Sequence, residues 1–361
     1  MKHTLIALAA AVATFGAAAQ SNVSVSGTID LAVRSVDTGA GRQHQMVRDG
    51  ANSSRLRFIA NEDMGGGLRA NVFLDMQVRA DDGTTASTFW ERRSTVSLIA
   101  PWGELRLGRD GSLQNSGPGD FDALNGKGVG NTMNLSTPRN FSNAQTFARM
   151  NNAISYLLPS KLLGGLYGQV QIAPGEGANG TRNRSVGLGW RQGAVEARLT
   201  HGETDVNSVA VVNPLTGAST VQTVPRGKFI YSVLGASYDF RVARVMGSVT
   251  RWGSADALNG AGSRKQVNLN LGAMVPVGAG TFNFAVTTAN RSGLGSDEQD
   301  SRQVAAQYLY NLSKRTAVFV SAARISQDAL ANVKDSQVNV DGTTFTGRAG
   351  TSFDIGMRHS F

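Results

Sequence analysis

The chain has no cysteine, only 8 prolines in 361 residues and only 4 histidines. Without cysteine there is no disulfide-stapled scaffold of the kind small secreted domains use, and no thiolate nucleophile or thiolate metal site. Scarce proline leaves room for long unbroken strands. The histidines stand far apart, at 3, 44, 201 and 359, and no H-E-x-x-H spacing occurs. Combinations of Ser, His and Asp arise through abundance alone. No segment reaches the roughly 20 apolar residues that a membrane-spanning helix needs. Nor is there a linker, a proline-rich stretch or a shift in composition, although the length exceeds the usual ceiling for one globular core.

What is present begins with an export signal. Lys2 supplies a positive start, Leu5 to Ala13 a short apolar stretch, and Ala17-Ala18-Ala19 a small-residue cleavage site before Gln20. Residues 1–19 are therefore expected to be removed, leaving 20–361 as one domain. Glycine is abundant, at 43 residues, and the net charge is +9. For an exported chain, a basic surface or an anion-favouring lumen is expected rather than a nucleic-acid partner.

The dominant pattern has a period of 2. Leu68, Ala70, Val72, Leu74, Met76 and Val78 alternate with Arg69, Asn71, Asp75, Gln77 and Arg79, and Phe73 is the lone apolar intruder. Val23, Val25, Ile29, Leu31 and Val33 alternate with Ser24, Ser26, Thr28, Asp30 and Arg34. The same alternation recurs at 195–200, 266–275 and 281–287. One apolar and one polar face per strand, with no helix able to cross a membrane, predicts an outer-membrane barrel. Strands are expected near 23–34, 53–60, 67–79, 92–99, 103–109, 152–158, 165–172, 184–190, 194–202, 229–240, 243–251, 265–275, 280–290, 302–311, 315–325 and 351–361, sixteen antiparallel strands in all. Their connections alternate short and long, as periplasmic turns and extracellular loops do. The longest, from Asp110 to Asn151, is the third long loop. Trp90, Trp102, Trp190 and Trp252 fall at strand ends, where aromatic girdles belong. Phe361 closes a final alternating strand with Phe353, Ile355 and Met357, and is expected to complete a lipid-facing row. Gly65-Gly66-Gly67 reads as a hairpin turn, not a phosphate loop, because no helix follows.

Certain runs of residues carry a family resemblance. Ser54-Arg55-Leu56 leads to Asn61-Glu62-Asp63-Met64-Gly65-Gly66-Gly67-Leu68. Arg92-Arg93-Ser94-Thr95-Val96-Ser97-Leu98 is followed by Gly103-Glu104-Leu105-Arg106-Leu107-Gly108-Arg109-Asp110. Asn152-Ala153-Ile154-Ser155-Tyr156, Leu312-Ser313-Lys314-Arg315-Thr316 and Gly356-Met357-Arg358-His359-Ser360-Phe361 complete the set. In this order, from Gln20 to Phe361, they resemble the general trimeric porins of beta-proteobacteria, above all the anion-selective type. The resemblance implies a trimeric 16-stranded pore whose third loop folds into the lumen. It also implies that Arg55, Arg92 and Arg149 line the constriction and that Phe361 is read by the barrel-assembly machinery.

The residues themselves add detail. Arg57 shares the parity of Arg55. Parity along the fourth strand favours Arg93 over Arg92 as pore-facing, and a bulge would reverse that, so both are carried. Asp75, Asp120 and Asp122 are the candidate acidic side. Arginine suits this role because it stays charged and presents a flat donor fork to carboxylate or phosphate. The expected function is passive diffusion of small hydrophilic, preferably anionic, solutes across the outer membrane, with no reaction, catalytic residue, metal or cofactor. The expected surroundings are a homotrimer, outer-membrane lipid and lipopolysaccharide. The alternatives are a substrate-specific uptake channel, which would show ordered aromatics in the lumen, and an outer-membrane barrel enzyme, which would show a Ser–His pair on adjacent strands.

Overall fold

The computed structural model describes residues 22–37, 41–136, 147–159, 164–176, 182–212, 219–254, 265–292, 300–327, 337–340, 343–346 and 350–361. The expected signal segment 1–19 lies outside them. The first half of the chain gives β1 (Asn22–Asp37), β2 (Arg42–Arg48), β3 (Arg55–Gly65), β4 (Leu68–Arg79), β5 (Thr84–Thr85), β6 (Arg93–Ala100), β7 (Gly103–Gly111), β8 (Arg149–Leu157), β9 (Leu166–Ala173) and β10 (Asn183–Gln192). The second half gives β11 (Val195–Val212), β12 (Ser219–Asp239), β13 (Arg244–Ser254), β14 (Lys265–Val277), β15 (Gly280–Ser292), β16 (Ser301–Asn311), β17 (Thr316–Gln327), β18 (Gln337–Val340), β19 (Thr343–Thr346) and β20 (Gly350–Ser360). Leaving aside the short β2, β5, β18 and β19, these strands form a closed 16-stranded antiparallel barrel.

Alternation decides which residues face lipid. Leu188, Leu199, Leu234, Val249 and Leu269 are exposed and in direct register across five strands, forming a continuous apolar belt. The residues between them, such as Thr200, Thr250 and Asn268, are buried on the inner side. At the short-turn end the belt meets paired aromatics: Trp102 stacked on Tyr156 at 6.4 Å, Phe282 stacked on Tyr308 at 4.3 Å, and Tyr238 tilted against Phe240 at 4.5 Å. Trp190 joins them. Trp252 departs from the girdle expectation. It points inward and is buried against Phe229. Trp90 stands before β6, edge-on to Phe58 and Phe89. Gly65, Gly66 and Gly67 all have positive φ (81°, 61° and 80°), the left-handed turn their sequence predicts.

The barrel closes where β1 meets β20, in register from Thr28↔Ser360 to Asp37↔Thr351. Arg34 and Asp354 face each other across this seam. Arg34 donates from Nε at 2.7 Å and from Nη2 at 2.5 Å to the two carboxylate oxygens, and both side chains are fully buried. Gly27 and Phe361 exchange backbone hydrogen bonds at 2.9 and 3.0 Å, and the Phe361 ring lies over Gly27.

Two long connections are shorter than the sequence suggests. Residues 42–48 form β2 and pair with the outer half of β1. The chain then breaks step over 49–54 before β3 begins. Asp30 holds the break by accepting from the backbone N–H of Gly50 at 2.8 Å, Ala51 at 3.1 Å and Asn52 at 2.7 Å. Likewise β11 and β12 continue past the predicted ends, up to Val212 and from Ser219.

The third loop runs from 112 to 148, and its described part packs inside the barrel. Helix α1 (Leu113–Asp120) and the short α2 (Met133–Ser136) lie in it. Leu124, Val129, Leu135 and Ala123 form an apolar cluster with Val36, Met246, Ala285, Ala289, Ala305, Ala323 and Ile325 from the inner wall. Small inward residues make room for this layer. A Cβ on Gly235 would lie 2.1 Å from the Phe121 ring, and one on Gly202 would lie 2.3 Å from Gln114. Asn and Gln side chains from the wall then bind the loop's polar backbone. Asn270 donates to the Phe121 carbonyl at 2.9 Å, Gln303 to Gly130 at 2.8 Å and Gln266 to Leu135 at 2.6 Å, while Gln171 accepts from the Leu113 N–H at 3.0 Å. Buried backbone groups left unpaired would each be costly.

Candidate functional site

The inner faces of β3, β4, β6, β7 and β8 carry a basic row. Register sets its core: Arg57, Asp75 and Arg93 are direct cross-strand neighbours, about 4.5–5.5 Å apart at Cβ by sheet geometry. The buried Asp75 carboxylate is the hub. Its Oδ2 lies 3.4 Å from Nε of Arg57 and 3.4 Å from Nε of Arg92. Its Oδ1 is buried without a hydrogen-bond partner. Arg55, two residues from Arg57 and therefore on the same face, is within electrostatic range of Arg57, Arg92, Asp75 and Asp49. Arg149 opens β8 and is in range of Arg92, Arg109, Glu91 and Asp75. A bulge between Gly108 and Asp110 re-aims Arg109, which donates to the Glu91 carbonyl at 2.8 Å and to Asn151.

Both residues of the Arg92/Arg93 pair reach the lumen. Arg93 is the first residue of β6 and has pore parity. Arg92 precedes the strand, so parity does not bind it, and it turns inward to Asp75. Arg93 donates to Thr95 Oγ1 at 2.9 Å and lies 3.8 Å from Asp110. Asp110 also accepts from Arg106 at 2.9 Å. Phe73, the apolar intruder on β4, lies beneath this row. Its ring centroid is 4.2 Å from the Arg93 guanidinium carbon and 5.8 Å from that of Arg57.

The loop acids stand elsewhere. Asp120 ends α1 and pairs with Arg198 on β11 at 2.5 Å, half exposed to the lumen. Asp122 was expected on the acidic side of the pore, but it is only 2% exposed. It accepts from the backbone of Leu124 at 2.9 Å and of Thr132 at 2.8 Å, and so cross-ties the loop. Burial pushes its carboxyl up to about 6, against the opposing pull of those N–H groups. Asp75 is thus the sole one of the three acids inside the arginine row. The sequence reading did not find Phe73's role, the fastening amides or Gly235. Phe73 and Gly235 left a trace, as residues of unexpected type at inward parity, whereas the amides are polar where polar residues are expected and left none.

A family profile described as Gram-negative porin matches residues 4–330. The chain belongs to the Gram-negative porins. Outer membrane porin protein 32 of Delftia acidovorans is 30% identical to it, with both chains covered in full. Among solved structures, the anion-selective porin from Comamonas acidovorans superposes with a TM-score of 0.79 at 28% identity, covering 94% of this porin and 100% of that chain. OmpT of Vibrio cholerae superposes with a TM-score of 0.71 at 13% identity, over 94% and 98% of the two chains, a likeness of fold alone. The porin therefore resides in the outer membrane, where barrels of this kind keep their short turns on the periplasmic side.

Proposed function

We propose that this porin is a passive, anion-preferring channel whose filter is the row Arg55, Arg57, Arg92, Arg93 and Arg149. The observation that carries this reading is five arginines gathered on one stretch of the inner wall, with Asp75 and Asp110 the carboxylates that meet them. A unit charge about 4 Å from an ion is worth roughly 1 kcal/mol in bulk water and about 4 kcal/mol at an effective dielectric of 20. The uncompensated charge favours an anion by a few kT, and the planar guanidinium forks suit carboxylates and phosphates. The Comamonas relative, an anion-selective porin, supports the same reading. A specific-uptake channel would expose ordered aromatics to solute. Here Phe147, Phe229, Tyr231 and Trp252 are buried against one another instead, which favours general diffusion. The working unit is a homotrimer embedded in outer-membrane lipid and lipopolysaccharide, inserted by the barrel-assembly machinery with Phe361 as its signal. Reversal potentials of single channels across a potassium chloride gradient test the filter. Chloride preference that weakens towards 1 M salt, where screening falls to about 3 Å, is the expected result. Potassium preference in dilute salt overturns it.

A further inference from the structure

Nearer the short turns, the lumen holds a second group of charges, on strands that the arginine row does not reach. Glu196 and Arg198 on β11, Asp239 at the end of β12 and Arg244 on β13 share the inward parity of Thr200, Gly235 and Thr250 on those strands. Arg191, near the end of β10, is the direct cross-strand neighbour of Glu196. With Asp120 at the end of α1 as its roof, this group lines a cleft of about 690 Å³. Sites for small molecules run to roughly 300–1,000 Å³.

The charges there are held in place but not used up. Glu196 accepts from Tyr167 at 2.9 Å, from Arg191, and from Arg244 at 3.4 Å, so one carboxylate fixes two guanidinium groups. Both arginines reach it through Nη2, and Arg244 Nη2 also donates to Ser237 Oγ at 3.0 Å. A guanidinium has five N–H donors. Nε and Nη1 of both arginines therefore stay without a hydrogen-bond partner among the described residues, and the side chains are 66% and 41% exposed. Arg198 is different. It is 13% exposed, paired with Asp120 and set over the Phe121 ring. The acids keep an open face too. Asp239 lies opposite Arg244 in register, yet Arg244 turns to Glu196. Asp239 Oδ1 accepts the Arg241 backbone N–H at 2.7 Å, and the exposed carboxylate makes no ion pair among the described residues. Asp120 remains 48% exposed beside Arg198.

A pure anion in this cleft gains at Arg191 and Arg244 and loses at Asp239 and Asp120, and a pure cation does the reverse. A solute with one charge of each sign, set apart, gains at both. The arginine of β10 and the aspartate of β12 stand two strand spacings apart, about 9.5 Å, and three extended residues span about 10 Å. We propose that the cleft is a binding site for short zwitterionic peptides, with the terminal carboxylate on Arg191 and Arg244 and the terminal ammonium on Asp239. The site needs the open lumen but not the anion filter, so either can fail without the other.

Single-channel currents through the purified porin in a planar bilayer test this, with trialanine as probe. Trialanine should interrupt the current saturably. Its affinity should exceed about tenfold that of N-acetyl-trialanine, which lacks the ammonium, and that of trialanine amide, which lacks the carboxylate. The constriction arginines by themselves predict another order, with the acetylated anion bound most tightly. The double variant Arg191→Gln, Arg244→Gln should weaken trialanine about tenfold, whereas Lys314→Gln, outside the cleft, should leave it at the wild-type level. The triple variant Arg55→Gln, Arg93→Gln, Arg149→Gln should keep the trialanine response even where its chloride preference is lost. Equal affinity for the three peptides, or tightest binding of the acetylated one, overturns the proposal. That comparison uses wild-type porin alone, so it decides the matter even if a variant assembles poorly. A response that survives the double variant and disappears in the triple one also overturns it.

Discussion

Phe73 lies flat beneath Arg93, its ring centroid 4.2 Å from the guanidinium carbon, while Arg57 approaches the same ring at 5.8 Å. Arginines this close repel one another, and the ring gives two of them a shared face to rest on. Such contacts contribute about 0.5–2 kcal/mol. Phe73→Leu should therefore loosen Arg93 and Arg57, lowering chloride preference and raising current noise without changing net charge. Phe73→Tyr should retain wild-type selectivity. Identical reversal potentials for wild type and Phe73→Leu would remove this role.

Arg55, Arg93 and Arg149 replaced together by glutamine should move the reversal potential to zero or to cation preference. Three neutral replacements on periplasmic turns, such as Arg241, Lys314 and Arg315, subtract the same net charge and should shift it far less. Equal shifts in the two sets would mean that net charge, not the constriction, decides selectivity.

Gly235 touches Phe121 so closely that any Cβ must displace the ring. Overpacking of this kind costs about 1–3 kcal/mol. Gly235→Val should push the third loop off the wall, increase conductance and shorten open times, with a barrel that still resists heat. Unaltered conductance would show that Phe121 is not what positions the loop.

Asp122 supplies a pH dependence of defined sign. Its carboxyl is raised to about 6 from an ordinary 3.8, so the folded loop holds that proton more tightly than the unfolded chain. The contribution is complete below about pH 4 and is lost as pH rises through about 6. Hydrogen-exchange protection of residues 121–135 should be greater at about pH 4.5 than at about pH 7.5, by up to roughly 2 kcal/mol at 1.36 kcal/mol per pH unit. Asp122→Asn should flatten that slope. A slope of the opposite sign would refute the burial argument.

The sixteen membrane strands were legible because lipid on one side and water on the other impose a period of 2 on the sequence. Where that contrast ends, so does the signal. Residues 42–48, RQHQMVR, form a strand without an apolar face, and they read as a loop. The arginine row was legible from strand order and parity, and Arg92 was ambiguous because it precedes its strand. Asp122 was misplaced because an acid that caps backbone N–H groups looks, in sequence, like an acid that faces a pore. Trp252 was misplaced because a strand end does not tell which side a ring takes. Asn270, Gln303 and Gly235 had no expected partner until the third loop was seen to pack on them.

The ion pair between Arg34 and Asp354 joins positions 320 residues apart. The two side chains meet only when the last strand lies beside the first, so this pair fastens the two ends of the chain to each other with charge as well as with the backbone ladder. Removing one partner from the finished barrel leaves a buried charge without its mate, a loss of about 3–5 kcal/mol. The seam is therefore a clasp: its strength belongs to the closed ring and to neither terminal strand by itself.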